Sequence, residues 1–244
     1  MNKRIFWTIS DQKNLEYFAK MQISFKKFHP KDELRLFDDL AIQATRDPLI
    51  FYRATPYFTK QLMEEGYDEV CKLDCDQLIT GSLDHIWEED FDVACVQNSN
   101  PREVKNYLVS VWDINPLDYI NCGFVVMKNK GFVDHWWNLC SSYHFNSYQM
   151  REQDLLNIMV FYDNYKVKFL DKSNKWHGLV WKKYEPEVQL RDGKLILPKN
   201  NEWPKDEDKE LVCWHVAGGN TPNKMNYRTK FQPEVVKFLD KLTS

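Results

Sequence analysis

The chain has 244 residues, a formal net charge of −3, 43% hydrophobic and 15% aromatic residues. That is enough apolar mass for one large α/β domain or two small ones, and the charge gives no global pull toward nucleic acid or an anionic membrane. No apolar run approaches a membrane span, and Ile5-Phe6-Trp7 is too short for the heart of a signal peptide, so the chain reads as soluble and cytoplasmic.

Lys3 to Thr8 reads as a first strand. Ser10-Asp11 then starts a helix whose stripe is Leu15, Phe18, Ala19, Ile23 and Phe25 to Phe28, stopped by His29-Pro30. Leu34 to Phe37 is a second strand, and the order strand, helix, strand implies a parallel crossover. Pro48 opens a helical stretch through Phe58 and Leu62 to Gly66, kinked or split at Pro56. Val70, Cys71 and Leu73 suit a buried strand. Ser82 to Trp87 is a short helix, and Asp92 to Val96 a strand.

Asn98 to Asp118 is polar and interrupted by Pro101 and Pro116, a loop long enough to be functional. Tyr119 to Met127 is a strongly apolar strand with Asn121-Cys122-Gly123 inside it. The glycine permits close backbone approach, and the asparagine needs a partner. Helical spacing returns at Phe132 to Tyr143 and again from Glu152 through Val160. Val167 to Leu170 is a strand. Glu187 to Leu190 and Leu195 to Leu197 flank a hairpin signal at Asp192-Gly193. Leu211 to His215 is the last strand, and Pro233 opens a closing helix to Leu242. The six cysteines read as buried thiols, without zinc spacing. No repeat or linker interrupts the chain.

The chemistry concentrates at Asp74-Cys75-Asp76. In an extended segment, residues two apart project to one side, so both carboxylates can converge on a cation at a strand's end. Carboxylate oxygens suit Mg²⁺ or Mn²⁺, whose shell a substrate phosphate often completes. In open α/β sheets, ligands bind beyond the carboxyl ends of strands.

Several segments resemble the core of family-8 glycosyltransferases, a group that includes lipopolysaccharide galactosyltransferases and glycogenin. They are Tyr52-Arg53-Ala54, Lys72 to Asp76, and Gly81 to Trp87. Tyr119 to Gly123 resembles the family's central Asn-Ala/Ser-Gly strand, and Glu152 to Asn157 its Asp-Gln-Asp-x-x-Asn helix start, with Glu152 replacing the first Asp. His215-Val216-Ala217-Gly218 resembles its terminal His-x-x-Gly-x-x-Lys segment, with Lys224 downstream at a longer spacing than the family's. The likeness runs in order from residue 3 to about residue 226.

The resemblance implies a single GT-A (Rossmann-like) α/β domain over residues 1–244, its mixed, mainly parallel central sheet flanked by helices. A nucleotide-sugar half would span about 1–97 and an acceptor-side half about 98–244. It implies a UDP-sugar donor, Mn²⁺ (or Mg²⁺) as cofactor, and retention of anomeric configuration. Asp74, Asp76 and His215 would hold the metal. Thr8 and Asp11 would lie near the uridine. Arg53, Asn121, Glu152 and Gln153 would face the donor sugar, with Gln153, Glu152 and Asp154 as the candidate catalytic residues. Gly218 and Lys224 would touch the diphosphate.

Blander roles compete for some of these residues. Glu152, Gln153 and Asp154 suit the first turn of any helix, and Trp136, Trp137, Tyr143 and His144 suit a core as well as a sugar platform. Two rival functions stand beside the transferase. A sugar-1-phosphate nucleotidyltransferase would need a Gly-rich basic loop after the first strand, where this chain has Trp7 to Asp11. A non-catalytic nucleotide-sugar or carbohydrate-binding protein would not need the Asp74/Asp76/His215 set. The acceptor is open among a glycan, a lipid-linked sugar, a protein side chain and a modified nucleic-acid base. Asn98 to Asp118 and Tyr143 to Met150 are the expected acceptor-facing segments.

Overall fold

The computed structural model describes residues 2–97, 112–115, 118–148, 150–180, 184–200, 207–215 and 231–244, without the side chains of residues 143 and 144. Among these residues, six strands form the central sheet: β1 (Arg4–Ile9), β2 (Leu34–Phe37), β3 (Glu69–Leu73), β5 (Val93–Gln97), β6 (Ile120–Met127) and β7 (Val167–Phe169), in the order β2-β1-β3-β6-β5-β7. Only β6 runs against the others. The sheet is thus mixed and mainly parallel, as expected.

Both faces are covered, so the strands are apolar almost throughout. Alternation sends Ile5, Trp7 and Val70 to one side, and Phe6, Cys71 and Leu73 to the other. The first side packs on α3 (Ala54–Glu64), α4 (Lys130–Cys140) and α5 (Glu152–Tyr162); α1 (Leu15–Phe28) covers the second. A short helix absent from the sequence reading, α2 (Asp39–Ala44), follows β2. The Asp38 carboxylate caps it by accepting from the Leu40 and Ala41 N–H groups.

Three expectations shift. In α1 the buried face is Met21, Ser24 and Phe25, while Leu15 and Ile23 are exposed. The Ile79 N–H donates to Ser24 Oγ at 3.1 Å, which turns that face inward. Pro56 lies in the first turn of α3, where its missing N–H has no intrahelical partner to lose, so the helix is unbroken. The stretch before it is a separate 3₁₀ turn, Ile50–Tyr52. The run ending at His215 is two strands, β11 (Lys209–Leu211) and β12 (Cys213–His215). They part at Val212, whose carbonyl accepts from the Thr80 and Gly81 N–H groups.

β12 pairs antiparallel with β4 (Gln77–Ile79), placing His215 opposite Gln77. β8 (Lys175–Trp176), β9 (Gln189–Arg191), β10 (Lys194–Leu197) and β11 make a four-stranded sheet that packs on α6 (Pro233–Leu242). The β9–β10 hairpin turns at Asp192-Gly193, both with positive φ, as a two-residue Asp-Gly loop requires.

One irregularity shapes the site. Along β5, Cys95 faces Val125, but the next residue, Val96, faces Asn121. Residues 122–124 bulge out of that ladder, and bulges commonly re-aim side chains next to active sites.

Candidate active site

β3 ends at Leu73, and the chain turns at once into β4. The Gln77 N–H donates to the Asp74 carbonyl at 3.2 Å. Asp74 and Asp76 are therefore brought together by a tight turn; the strand pleat invoked from the sequence is not what aligns them. The β4–β12 ladder then carries His215 to the same point. Its Nε2 lies 3.3 Å from Asp74 Oδ2 and 3.3 Å from Asp76 Oδ1. His215 is 4% exposed, Asp76 15% and Asp74 34%, so Asp74 is the member open to solvent.

The bulged part of β6 forms the floor. The Asp74 N–H donates to the Gly123 carbonyl at 2.8 Å, and Gln77 Nε2 donates to the same oxygen at 3.0 Å. Asn121 Oδ1 accepts from the Gly123 N–H at 2.7 Å, which pairs the oxygen of the amide that looked costly in the sequence. Lys72, on β3, is buried. Its ammonium donates to Asp74 Oδ1 and, at 2.9 Å, to the Cys122 carbonyl.

These contacts set the charges. Burial works against the Asp74 carboxylate, but Lys72 and His215 hold its pKa far below the usual range. Burial likewise opposes a charged His215, yet Asp76 and Asp74 raise it to about 9. Burial pushes Glu152 up to about 7 against the pull of Lys72 and Thr55.

A cavity of about 210 Å³ opens beside Asp74, lined among others by Lys72, Asn121, Arg151, Glu152 and Gln153. Both Glu152 oxygens are engaged by α3: Oε2 accepts from the Thr55 N–H at 3.1 Å and Oε1 from its hydroxyl at 2.9 Å. Gln153 Oε1 accepts from the Cys122 N–H at 3.0 Å. Asp154 is fully buried, accepts from the Tyr119 hydroxyl and the Met150 N–H, and is not part of the cavity wall. Asn157 holds both backbone groups of Ile120.

Thr8, Asp11 and Arg53 lie outside the wall of this cavity. Thr8 is buried on β1, one residue past Trp7, which pairs with Lys72. Asp11 caps the turn after β1 by accepting from the Asn14 N–H. Arg53 is pinned to Asp47 at 2.6 Å and the Cys140 carbonyl at 3.2 Å, outside the cavity wall. Gly218 and Lys224 lie outside the described residues, as does most of Asn98 to Asp118. Trp136 is core, its Nε1 donating to the Glu152 carbonyl.

Sequence reasoning missed Lys72, Gln77 and Arg151. A lysine inside a buried apolar strand was the available signal for the first; nothing local marks Arg151. Its guanidinium lies over the Tyr52 ring at 3.7 Å, and its φ is +49°.

Asp74, Asp76 and His215 each offer a ligand atom within 4.8 Å of the others. Two hard oxygens and one imidazole nitrogen make a donor set that fits a divalent cation. A second trio, His29, Asp32 and Asp84, does not fit. His29 Nε2 already accepts from the Leu83 N–H, and Nδ1 faces Asp32. A larger groove at the opposite end of the sheet has its central charges, Arg4, Glu69 and Lys128, already paired with one another.

No protein-family model and no curated protein matches the chain. Its fold, however, is the GT-A glycosyltransferase fold. The galactosyltransferase LgtC, solved with donor and acceptor sugar analogues, aligns at TM-score 0.59 and 16% identity, over 98% of this chain and 96% of its own. The glycosyltransferase GlyE of Streptococcus pneumoniae TIGR4 aligns at TM-score 0.54 and 12% identity, over 98% of this chain and 63% of its own. Mouse xyloside xylosyltransferase 1 aligns at 0.53 and 11%, over 90% and 99%. The glycosyltransferase resemblance read from the motifs is thus matched in three dimensions by fold. Among the described residues, no helix is long and apolar enough to cross a membrane.

Proposed function

We propose that the chain is a metal-dependent, retaining glycosyltransferase, moving a hexose or pentose from a UDP-sugar to an acceptor still to be identified. The convergence of Asp74, Asp76 and His215 at the carboxyl end of β3, beside a cavity walled by Glu152 and Gln153, supports this reading most. A divalent ion held there would stabilise the negative charge that grows on a departing diphosphate. Residues 1–97 would supply most of the nucleotide site, with Thr8 and Asp11 toward the uridine and Gly218 and Lys224 toward the diphosphate. Residues 98–244 would supply the acceptor side. Asn121, Glu152 and Gln153 would orient the donor sugar.

Glu152 is better suited to positioning than to covalent attack, because both its oxygens are held by Thr55. An amide is a poor nucleophile, so Gln153 also positions. That favours front-face displacement: the acceptor hydroxyl enters on the leaving group's side, and the departing phosphate oxygen takes its proton. Gln153→Ala should then lower turnover without abolishing it.

The test is a panel of UDP-sugars scored for Mn²⁺-dependent UDP release, with NMR of the product's anomeric configuration. Binding of UDP without release from any donor would leave a non-catalytic nucleotide-sugar-binding protein. An inverted product would overturn retention, and a glycosyl adduct on Glu152 by intact mass would replace the front-face path.

A further inference from the structure

We propose that Lys72 is a fixed counter-charge that makes this site take its cation together with a nucleoside diphosphate, and hold it poorly alone. The inference rests on the metal reading above. Lys72 and His215 divide Asp74 between them. The ammonium bonds Oδ1, and the imidazole Nε2 lies 3.3 Å from Oδ2. Lys72 is 4% exposed and anchored a second time on the Cys122 carbonyl, so it has no room to swing away.

The charge balance follows. Asp74 and Asp76 contribute two negative charges, and Lys72 cancels one of them. Once His215 has given up its proton, as a ligand must, a divalent cation faces one net negative charge and a buried ammonium beyond Asp74. Ligand charge count sets affinity for hard cations, so free cation binds weakly. A diphosphate reverses the balance. It brings its own oxygens to the cation, and Lys72 lines the same cavity, where it attracts those oxygens.

A lysine that merely props Asp74 in place makes the opposite prediction, and this separates the two roles. Removing a prop weakens metal binding; removing a repelling charge strengthens it.

The experiment measures Mn²⁺ affinity of the full chain by EPR, with and without UDP, for wild type, Lys72→Gln, Lys72→Met and Lys72→Arg. Wild type should bind Mn²⁺ at least about tenfold more tightly with UDP. Without UDP, Lys72→Gln and Lys72→Met should bind it about tenfold more tightly than wild type, as loss of one unit charge a few ångströms away allows. Their gain from UDP should shrink, and Lys72→Arg should behave as wild type. Folded variants that bind free Mn²⁺ equally or more weakly would overturn the proposal. If the variants do not fold, wild type decides: equal affinity with and without UDP would also overturn it. No Mn²⁺ binding in any state would remove the metal reading itself, and this inference with it.

Discussion

Gly123 and His215 are packed so closely that no side chain fits between them. A Cβ on Gly123 would collide with the imidazole, and would stand 2.6 Å from Asn121 Oδ1 and 2.7 Å from Asp74 Oδ2. Two of the three candidate ligands thus occupy space that any other residue would fill. Gly123→Ala should cost about 1–3 kcal/mol of stability, the usual range for overpacking. It should also erase the rise in Tm that UDP with Mn²⁺ produces. Denaturant unfolding and thermal scans check both, and an intact response would mean the ligand set tolerates displacement.

UDP with Mn²⁺ should stabilise the wild type by about 2.7 kcal/mol at a hundredfold excess over Kd, and UDP with EDTA far less. Asp76→Asn and His215→Ala should each lower donor turnover at least about tenfold, roughly 1.4 kcal/mol in the barrier. Equal shifts with Mn²⁺ and with EDTA would remove the bridging cation. A response to GDP or CMP but not UDP would overturn the uridine assignment.

Glu152 gives a stability signature with pH. Burial raises its carboxyl from an ordinary 4.5 to about 7, although Lys72 and Thr55 favour the charged form. Between those two values the folded protein keeps a proton that the unfolded chain has released. Stability from this group is therefore full below about 4.5 and is lost as pH rises through about 7. Glu152→Gln should flatten the curve, so the variant gains on wild type from pH 5 to pH 8. Urea midpoints at several pH values check this, and parallel curves would refute it.

Asp154 should separate stability from chemistry. Its carboxylate accepts from the Tyr119 hydroxyl at 2.5 Å and from the Met150 N–H at 2.8 Å. Asp154→Ala strands both donors, costing about 1–3 kcal/mol for each one left buried. The folded fraction should still bind UDP with Mn²⁺ at near wild-type affinity. A specific loss of binding at unchanged stability would return Asp154 to the site.

Much of this was legible in the residues. The central-sheet strands, the Asp-Gly hairpin and the closing helix are set by local pattern, and each appears where that pattern places it. The convergence of Asp74, Asp76 and His215 was what the family resemblance implied. What escaped depends on packing between distant segments. The face that α1 buries is decided by Ser24 meeting Ile79, and the break at Val212 by Thr80 and Gly81 claiming its carbonyl. Arg53, which the resemblance assigned to the donor sugar, bonds Asp47 and the Cys140 carbonyl, and no spacing rule announces such partners. The contact between half-buried His85 and buried His177, with Nε2 atoms 2.6 Å apart, was equally invisible, because it joins segments with no shared pattern.

The β4–β12 pairing carries a consequence for the order of folding. Asp74 and Asp76 lie early in the chain, but their imidazole partner arrives on a strand from the other end. The loop to be closed is long, and such contacts form late because chain entropy opposes them. β1, β2 and β3 can assemble as a local parallel unit well before β12 docks. In refolding, helical and sheet signals should therefore recover ahead of the Mn²⁺-dependent UDP response, which waits for the last strand to close the turn. During synthesis the same order would leave the two carboxylates without His215 until residues 213–215 have emerged.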